Sequence, residues 1–281
     1  LTNIKNTYNE VGTPGTTPAN FASIALVAQR LDEEAAPQQD RTLVLSPKAY
    51  WAITVGISTV YVQSVAEPGF KGYIPNIANF EIFMDQNVPT QLTGNYAGTP
   101  TVTGAGQTGS SLVTGAWTAS ITSLLNVGDV FTIANVNAVN PESLQSTGSL
   151  RNFVVTAAAS SNGSGASTLS IYPPITPATS GSAYATTDTS PANGAAITVI
   201  SGAAASNLTK NIGFCKDAYG LVTVPLIMPE GVDFKAQEVY KGVSLRTIRA
   251  YDINNDVLPT RVDILWGTAT YYPELSCRLT N

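Results

Sequence analysis

The sequence predicts an α+β fold: a discontinuous body, with an all-β barrel or sandwich domain inserted into it. Three observations predict this. From Gln91 to Thr209 the only charged side chains are Asp129, Glu142, Arg151 and Asp188, so nearly all of the 14 basic and 19 acidic residues lie outside that stretch. Inside it, short β-branched or aromatic runs alternate with Gly, Ser, Thr and Asn, the punctuation of small sandwiches and barrels. On both sides lie charged, helix-forming segments. The expected division is 1–90 for the first body segment, 91–207 for the inserted all-β domain and 208–281 for the second body segment.

The totals fit this division. A chain of 281 residues, 43% hydrophobic, can bury a sizeable core. A net charge of −5 argues against a surface built mainly for nucleic acid, though a small basic face is compatible with it. No run of 18 apolar residues suggests a membrane-spanning helix. Leu1–Glu10 lacks the pattern of a signal peptide, and Leu1 is not an initiator, so a fragment or a processed form is expected. There is no histidine. That removes Ser–His–Asp and Cys–His nucleophile systems and every zinc site that needs imidazole. Cys215 and Cys277 are too few for a disulfide framework and are read as buried free thiols. The expectation is a non-enzyme with no cofactor and no metal.

In chain order, Leu1–Thr16 reads as an extended lead-in. Thr17-Pro18 reads as N-cap and first helical residue. Phe21, Ile24, Ala28, Leu31 and Ala35 form an apolar stripe, ended by Pro37. Asp32, Glu33 and Glu34 crowd the C-terminal end of that helix, where its dipole disfavours anions, so a solvated or partner-facing end is expected. Thr42–Leu45 predicts a buried strand, Ser46-Pro47 opens a second helix over Lys48–Val55 that Gly56 ends, and Ile57–Lys71 gives a mixed signal. Ile77–Met84 alternates as a strand. The central strands are expected at Val130–Ile133, Leu150–Val155, Thr168–Tyr172 and Ile197–Ile200, with a turn at Asn162-Gly163. Beyond Leu208 the expectations are a helical turn at Phe214–Ala218 and a strand at Leu221–Ile227. A long extended segment at Val239–Ile253, a polar turn at Asp252–Asp256, a strand at Thr260–Trp266 and a last strand over Tyr271–Leu279 complete the chain.

Few motifs carry chemistry. Gly104-Ala-Gly106-Gln-Thr-Gly109 matches a dinucleotide-binding string, but neither a βαβ unit nor an acidic residue follows at the required distance, so it reads as a loop. Asp252-Ile-Asn254-Asn-Asp256 resembles the start of a calcium loop but has Val257 where glycine is needed, and reads as a polar turn. Asn162-Gly-Ser164 and Asn207-Leu-Thr209 are glycosylation sequons by pattern alone. Arg246, Arg249 and Arg261 form the one concentration of arginine. They read either as a solvated strand face or as an inter-subunit or nucleic-acid contact, since guanidinium pairs bidentately with carboxylate or phosphate.

Leu221-Val-Thr-Val-Pro225, Ser244–Ile253, Leu258-Pro-Thr-Arg-Val-Asp-Ile-Leu-Trp-Gly267 and Pro273-Glu-Leu-Ser-Cys-Arg278 together resemble the C-terminal end of a tailed-phage major coat protein. The podovirus type is meant, which carries a β-barrel insertion domain in the tailed-phage/herpesvirus capsid fold. The Phe21 helix, Leu43–Tyr50 and Asn79–Pro89 are similar to that family's peripheral domain. Gly128-Asp129 with Phe131 and Ile133, and Leu150–Val155, resemble strands of its insertion domain. The resemblance implies a capsid-type body with peripheral and axial portions, whose N-terminal arm, extended loop and spine helix would precede Leu1. It also implies a homo-oligomeric icosahedral shell in the virion, formed in the host bacterial cytoplasm around double-stranded DNA with a scaffolding protein and a portal, and no membrane. Gly104–Ser120, short and uncharged, stands where the family can carry a long charged loop that meets a neighbour across a two-fold axis. A second reading is a β-rich phage tail, receptor-binding or adhesin-type module, with Trp117 and several tyrosines available for sugar stacking.

Overall fold

A computed structural model describes residues 3–58 and 76–281. Most of Ile57–Lys71 lies outside the described residues. The helices are α1 (Phe21–Glu33) and α2 (Pro47–Ser58). The strands up to the central stretch are β1 (Glu10–Val11), β2 (Arg41–Leu45), β3 (Phe80–Met84) and β4 (Thr90–Leu92). Within that stretch come β5 (Gly98–Val102), β6 (Gly109–Trp117), β7 (Val130–Val139), β8 (Ser146–Val155), β9 (Ser167–Ile175) and β10 (Ile197–Val199). Then follow β11 (Asn207–Cys215), β12 (Tyr219–Thr223), β13 (Phe234–Tyr240), β14 (Val243–Arg249), β15 (Thr260–Asp263), β16 (Trp266–Thr270) and β17 (Ser276–Thr280). The chain divides into two compact units, one of Leu1–Ala218 with Tyr272–Asn281, the other of Tyr219–Tyr271.

In the first unit, strands ordered β1-β17-β11-β2-β3 form a mixed sheet, with β4 also pairing β11. Helices α1 and α2 cover it through Ile24, Val27, Leu31, Ile53 and Ile57, against Leu43, Leu45, Phe80 and Leu279. Burying each such side chain contributes about 1.5–3 kcal/mol. Cys215 and Cys277 lie in this core as free thiols. Burial raises the pKa of both, that of Cys277 to about 12.

The helices start and stop differently from the expectation. The N-cap of α1 is Asn20, whose Oδ1 accepts from the amide of Ser23 at 3.1 Å, and Thr17-Pro18 belongs to the lead-in. Gly56 does not end α2, which runs on to Ser58. A Cβ on Gly56 would lie 1.8 Å from the carbonyl oxygen of Ala19, so this glycine lets the helix touch the lead-in backbone. That contact and the Asn20 cap explain why the segment before Asn20 stays extended in spite of its proline.

The central stretch forms a six-stranded sheet in the order β10-β7-β8-β9-β6-β5. A bridge between Thr101 and Ala196, with the Val102 amide donating to the Ala195 carbonyl at 2.9 Å, joins its two ends and closes a barrel. Phe131, Ile133, Phe153, Val155, Leu169 and Ile171 fill it. All four expected strands are present; three are longer than expected, and the fourth, Ile197–Val199, stops one residue short of Ile200. Two more, β5 and β6, carry the Thr/Ser/Gly-rich sequence, so Gly104–Ser120 is a strand as well as a loop. The two passages of chain into and out of the barrel lie side by side, Leu92 opposite Asn207 and Thr90 opposite Thr209.

In the second unit β12 pairs β16, and β13-β14-β15 form a three-stranded antiparallel sheet. The expected long segment Val239–Ile253 is instead the second half of a hairpin. Lys241 (φ 48°) and Gly242 (φ 82°) make its two-residue turn, where both residues need positive φ. The Thr260–Trp266 strand stops at Asp263, and Trp266 opens β16. The turn expected at Phe214–Ala218 is the end of β11 followed by a 3-10 turn, Lys216–Ala218.

Candidate functional site

Two places in the structure hold polar chemistry that simple folding does not require: the junction between body sheet and barrel, and the sheets of the second unit. The junction uses two of the four charges of the central stretch, Arg151 and Asp129. Arg151 on β8 donates from Nη1 to Oε1 of Glu34 at 2.7 Å, both side chains buried. Its guanidinium lies 4.7 Å from the ring centre of Tyr8, whose hydroxyl donates to the other Glu34 oxygen at 3.1 Å. Burial works against the Arg151 charge, but Tyr8 and Glu34 outweigh it and raise its pKa. Burial and the Glu34 carboxylate push Tyr8 well above its ordinary value. Arg30 of α1 pairs with Glu33 at 2.9 Å and donates to the Leu150 carbonyl and the Asn152 side chain, each at 3.1 Å. Ser149 donates to Glu33 at 2.8 Å. The acidic end of α1 is thus partner-facing, and the partner is the barrel of the same chain, with Asp32 taken by Arg41 at 2.6 Å.

A second buried chain of charges crosses the same junction. Lys210 Nζ donates to Glu10 Oε1 at 2.5 Å and to the Ser201 carbonyl at 2.6 Å. Thr280 donates to the same Glu10 oxygen. Glu10 Oε2 lies 3.2 Å from Arg278 Nη2, and Arg278 Nη1 donates to Gln91 at 2.8 Å. Gln91 in turn donates to Asp129 at 3.0 Å, whose other oxygen accepts from the amides of Gly94 and Asn126. Two cations and two anions balance, which is what makes burial of all four tolerable. Burial lowers the pKa of Lys210, opposed by Glu10, and raises that of Asp129, opposed by the hydrogen bonds from Asn126 and Gly94. Asp188 closes a turn within the barrel, accepting from Asn137 at 2.9 and 2.8 Å. No sequence pattern singles out Glu10 or Lys210; the acidic end of the first helix pointed toward Glu34, and the scarcity of charge in the central stretch toward Asp129 and Arg151.

The second unit has the opposite character. Of residues 219–271, all described, Ser244 alone is buried. Ile227 is 89% exposed and Ile253 80%, and Leu221, Tyr240, Val262 and Trp266 are exposed as well. Apolar surface on this scale marks a place of contact. The three arginines lie on this sheet but not together. Arg246 donates to Asp263 from Nε at 3.2 Å and from Nη2 at 2.5 Å, and from Nη1 to the Ile227 carbonyl at 2.5 Å. Arg261 reaches the other Asp263 oxygen at 2.5 Å, and the two guanidinium groups hold the Asp263 carboxyl below its ordinary pKa. Arg249, opposite Phe234 and Thr260, is exposed on the other side of the strand.

The remaining motifs are structural. Gly104–Gly109 joins β5 to β6, held by Gln107, which exchanges hydrogen bonds with Val113 at 3.0 and 2.7 Å. In the polar turn Asp252 accepts from Asn254 and Asn255 at 3.0 and 2.7 Å. Trp117 is buried and donates from its indole to Thr114 at 2.8 Å, so it offers no face for a sugar.

The family described as "P22 coat protein - gene protein 5" matches residues 9–280. A solved structure described as "CUS-3 coat protein I-domain" is 26% identical, covering 41% of this chain and 97% of its own, with a TM-score of 0.25. No curated protein matches. The family is a structural one, a phage coat protein rather than an enzyme, and its match runs through the body, the barrel and the second unit: the chain belongs to the P22 coat protein family.

Proposed function

We propose that this chain is the repeating subunit of an icosahedral phage head, self-assembling into a shell that encloses double-stranded DNA, with a scaffolding protein and a portal as partners. The observation that carries the reading is that the family match extends through Tyr219–Tyr271, the unit whose apolar side chains stay in water in the single chain. Repeated contact with copies would cover that surface, and weak contacts repeated by symmetry suffice to close a shell. The division at 1–90, 91–207 and 208–281 belongs to this reading, with the barrel as an inserted domain and the buried charge networks fixing its angle to the body.

Co-expression with the cognate scaffolding protein tests it: closed shells are expected by electron microscopy, and amorphous material or monomers alone would overturn it. Residues 91–207 expressed by themselves are expected to unfold in one cooperative transition. A gradual melt with poor amide dispersion would remove the domain boundary.

A further inference from the structure

The sheet of β13, β14 and β15 has one face that carries both halves of an ion pair, set apart from each other. Directly opposed residues of antiparallel strands share a face, and successive residues alternate. The register sets Phe234 opposite Arg249, Glu238 opposite Leu245 and Tyr240 opposite Val243, with Thr247 opposite Val262. Phe234, Glu238, Tyr240, Leu245, Arg249 and Val262 therefore lie on one face, all of them exposed. Arg246 and Asp263 occupy the other face, paired to each other.

Four residues separate the Glu238 rung from the Arg249 rung, about 13 Å along the strands, too far for the two to meet within one chain. A half-turn about an axis lying across the Ala236–Thr247 rung exchanges these rungs. Glu238 of one copy then falls beside Arg249 of the other, twice, with Phe234 and Leu245 in the same rungs and Ala236 and Val262 in the rung between. We propose that this face seats a second copy of the chain, with Glu238 and Arg249 forming the pair between copies. The inference rests on the assembly reading above and names the residues that set the contact. It also sorts the three arginines: Arg246 and Arg261 are spent on Asp263, and Arg249 is the one that recognises a neighbour.

Charge reversal in the full chain tests it. Glu238→Arg and Arg249→Glu, each alone, are expected to weaken self-association at least tenfold by sedimentation velocity. The double variant Glu238→Arg/Arg249→Glu should return it to within about threefold of wild type, and circular dichroism melts should show all three folded. Wild-type association with indifferent single variants, or a double variant no better than the singles, overturns the inference and leaves the assembly reading standing. A wild-type chain that stays monomeric at every concentration overturns the assembly reading itself. Radical footprinting that shows Tyr240 shielded in the monomer assigns the face to the chain's own residues and overturns the inference too.

Discussion

The two compact units of this chain handle polar and apolar surface in opposite ways. The first buries Arg151, Lys210 and Arg278 and balances them with acids and carbonyls at the body–barrel junction, and buries Arg41 against Asp32 within the body. The second leaves Ile227, Val239, Ile253 and Trp266 in water and buries one serine. A unit that puts cations inside must set an acid beside each of them, so its geometry is fixed by the chain itself. A unit that leaves its apolar side chains outside has no such closure, and its surface is finished by whatever covers it. Rigid bracing and open contact surface in one polypeptide are the two properties that a shell subunit needs.

The first way to break this contrast is to open the junction. Arg151→Met leaves the Glu34 carboxylate buried, with the Tyr8 hydroxyl as its remaining donor. Removing one partner of a buried pair costs about 3–5 kcal/mol. Urea melts should show that loss, and the double replacement Arg151→Met/Glu34→Leu should recover much of it. A loss under about 1 kcal/mol for the single variant would mean that water reaches the pair.

Gly56→Ala probes the body without touching a charge. The added methyl would meet the Ala19 carbonyl, a backbone atom that cannot swing aside. The cost should be roughly 1–3 kcal/mol, typical of overpacking, read as a lowered urea midpoint. An unchanged midpoint would show the contact between α2 and the lead-in to be loose.

How much of this could be read beforehand depends on the kind of signal. Strands with β-branched or aromatic runs, such as Val130–Ile133 and Leu150–Val155, announce themselves by composition. The barrel strand Gly109–Trp117 does not, because its Ser, Thr and Gly residues are those of a loop until its neighbours are known. The helix start at Asn20 was masked by a stronger local signal at Thr17-Pro18, which the distant Gly56 overrides. The turn at Lys241-Gly242 lies inside an otherwise extended run, and its type depends on φ values the sequence leaves open. The ion pairs were illegible for a simpler reason: Glu10 and Lys210 are 200 residues apart. Arginine density pointed to this sheet, but only strand alternation places Arg249 and Arg246 on opposite faces of it.

Alkaline pH sharpens the contrast in the first unit. Burial raises the Cys277 thiol to about 12 from an ordinary value of 9.0, with Arg30 pulling it down and Glu10 pushing it up. A folded pKa above the unfolded one contributes stability that is complete below the unfolded value and lost as pH rises through the folded one. The unfolding free energy should therefore fall between pH 9 and about 12, by about 1.4 kcal/mol per pH unit once the unfolded thiol is ionised. Tyr8, also raised, adds to the fall, whereas Lys210, lowered by burial, opposes it. Cys277→Ala should flatten the slope in that window. An unchanged slope would mean that Cys277 is not sealed, and native Cys277 should then also react with thiol reagents.

The smallest effect is expected where exposure is greatest. Ile227 is 89% exposed, so Ile227→Thr removes apolar surface already in water. Its stability change should stay within about 0.5 kcal/mol, as for surface positions in general. The same substitution type at buried Ile53, as Ile53→Thr, loses both burial and packing and should cost several times more. Paired urea melts of the two variants measure the difference directly. If Ile227→Thr costs as much as Ile53→Thr, the second unit has a core of its own, and its apolar faces are not a surface waiting for a neighbour.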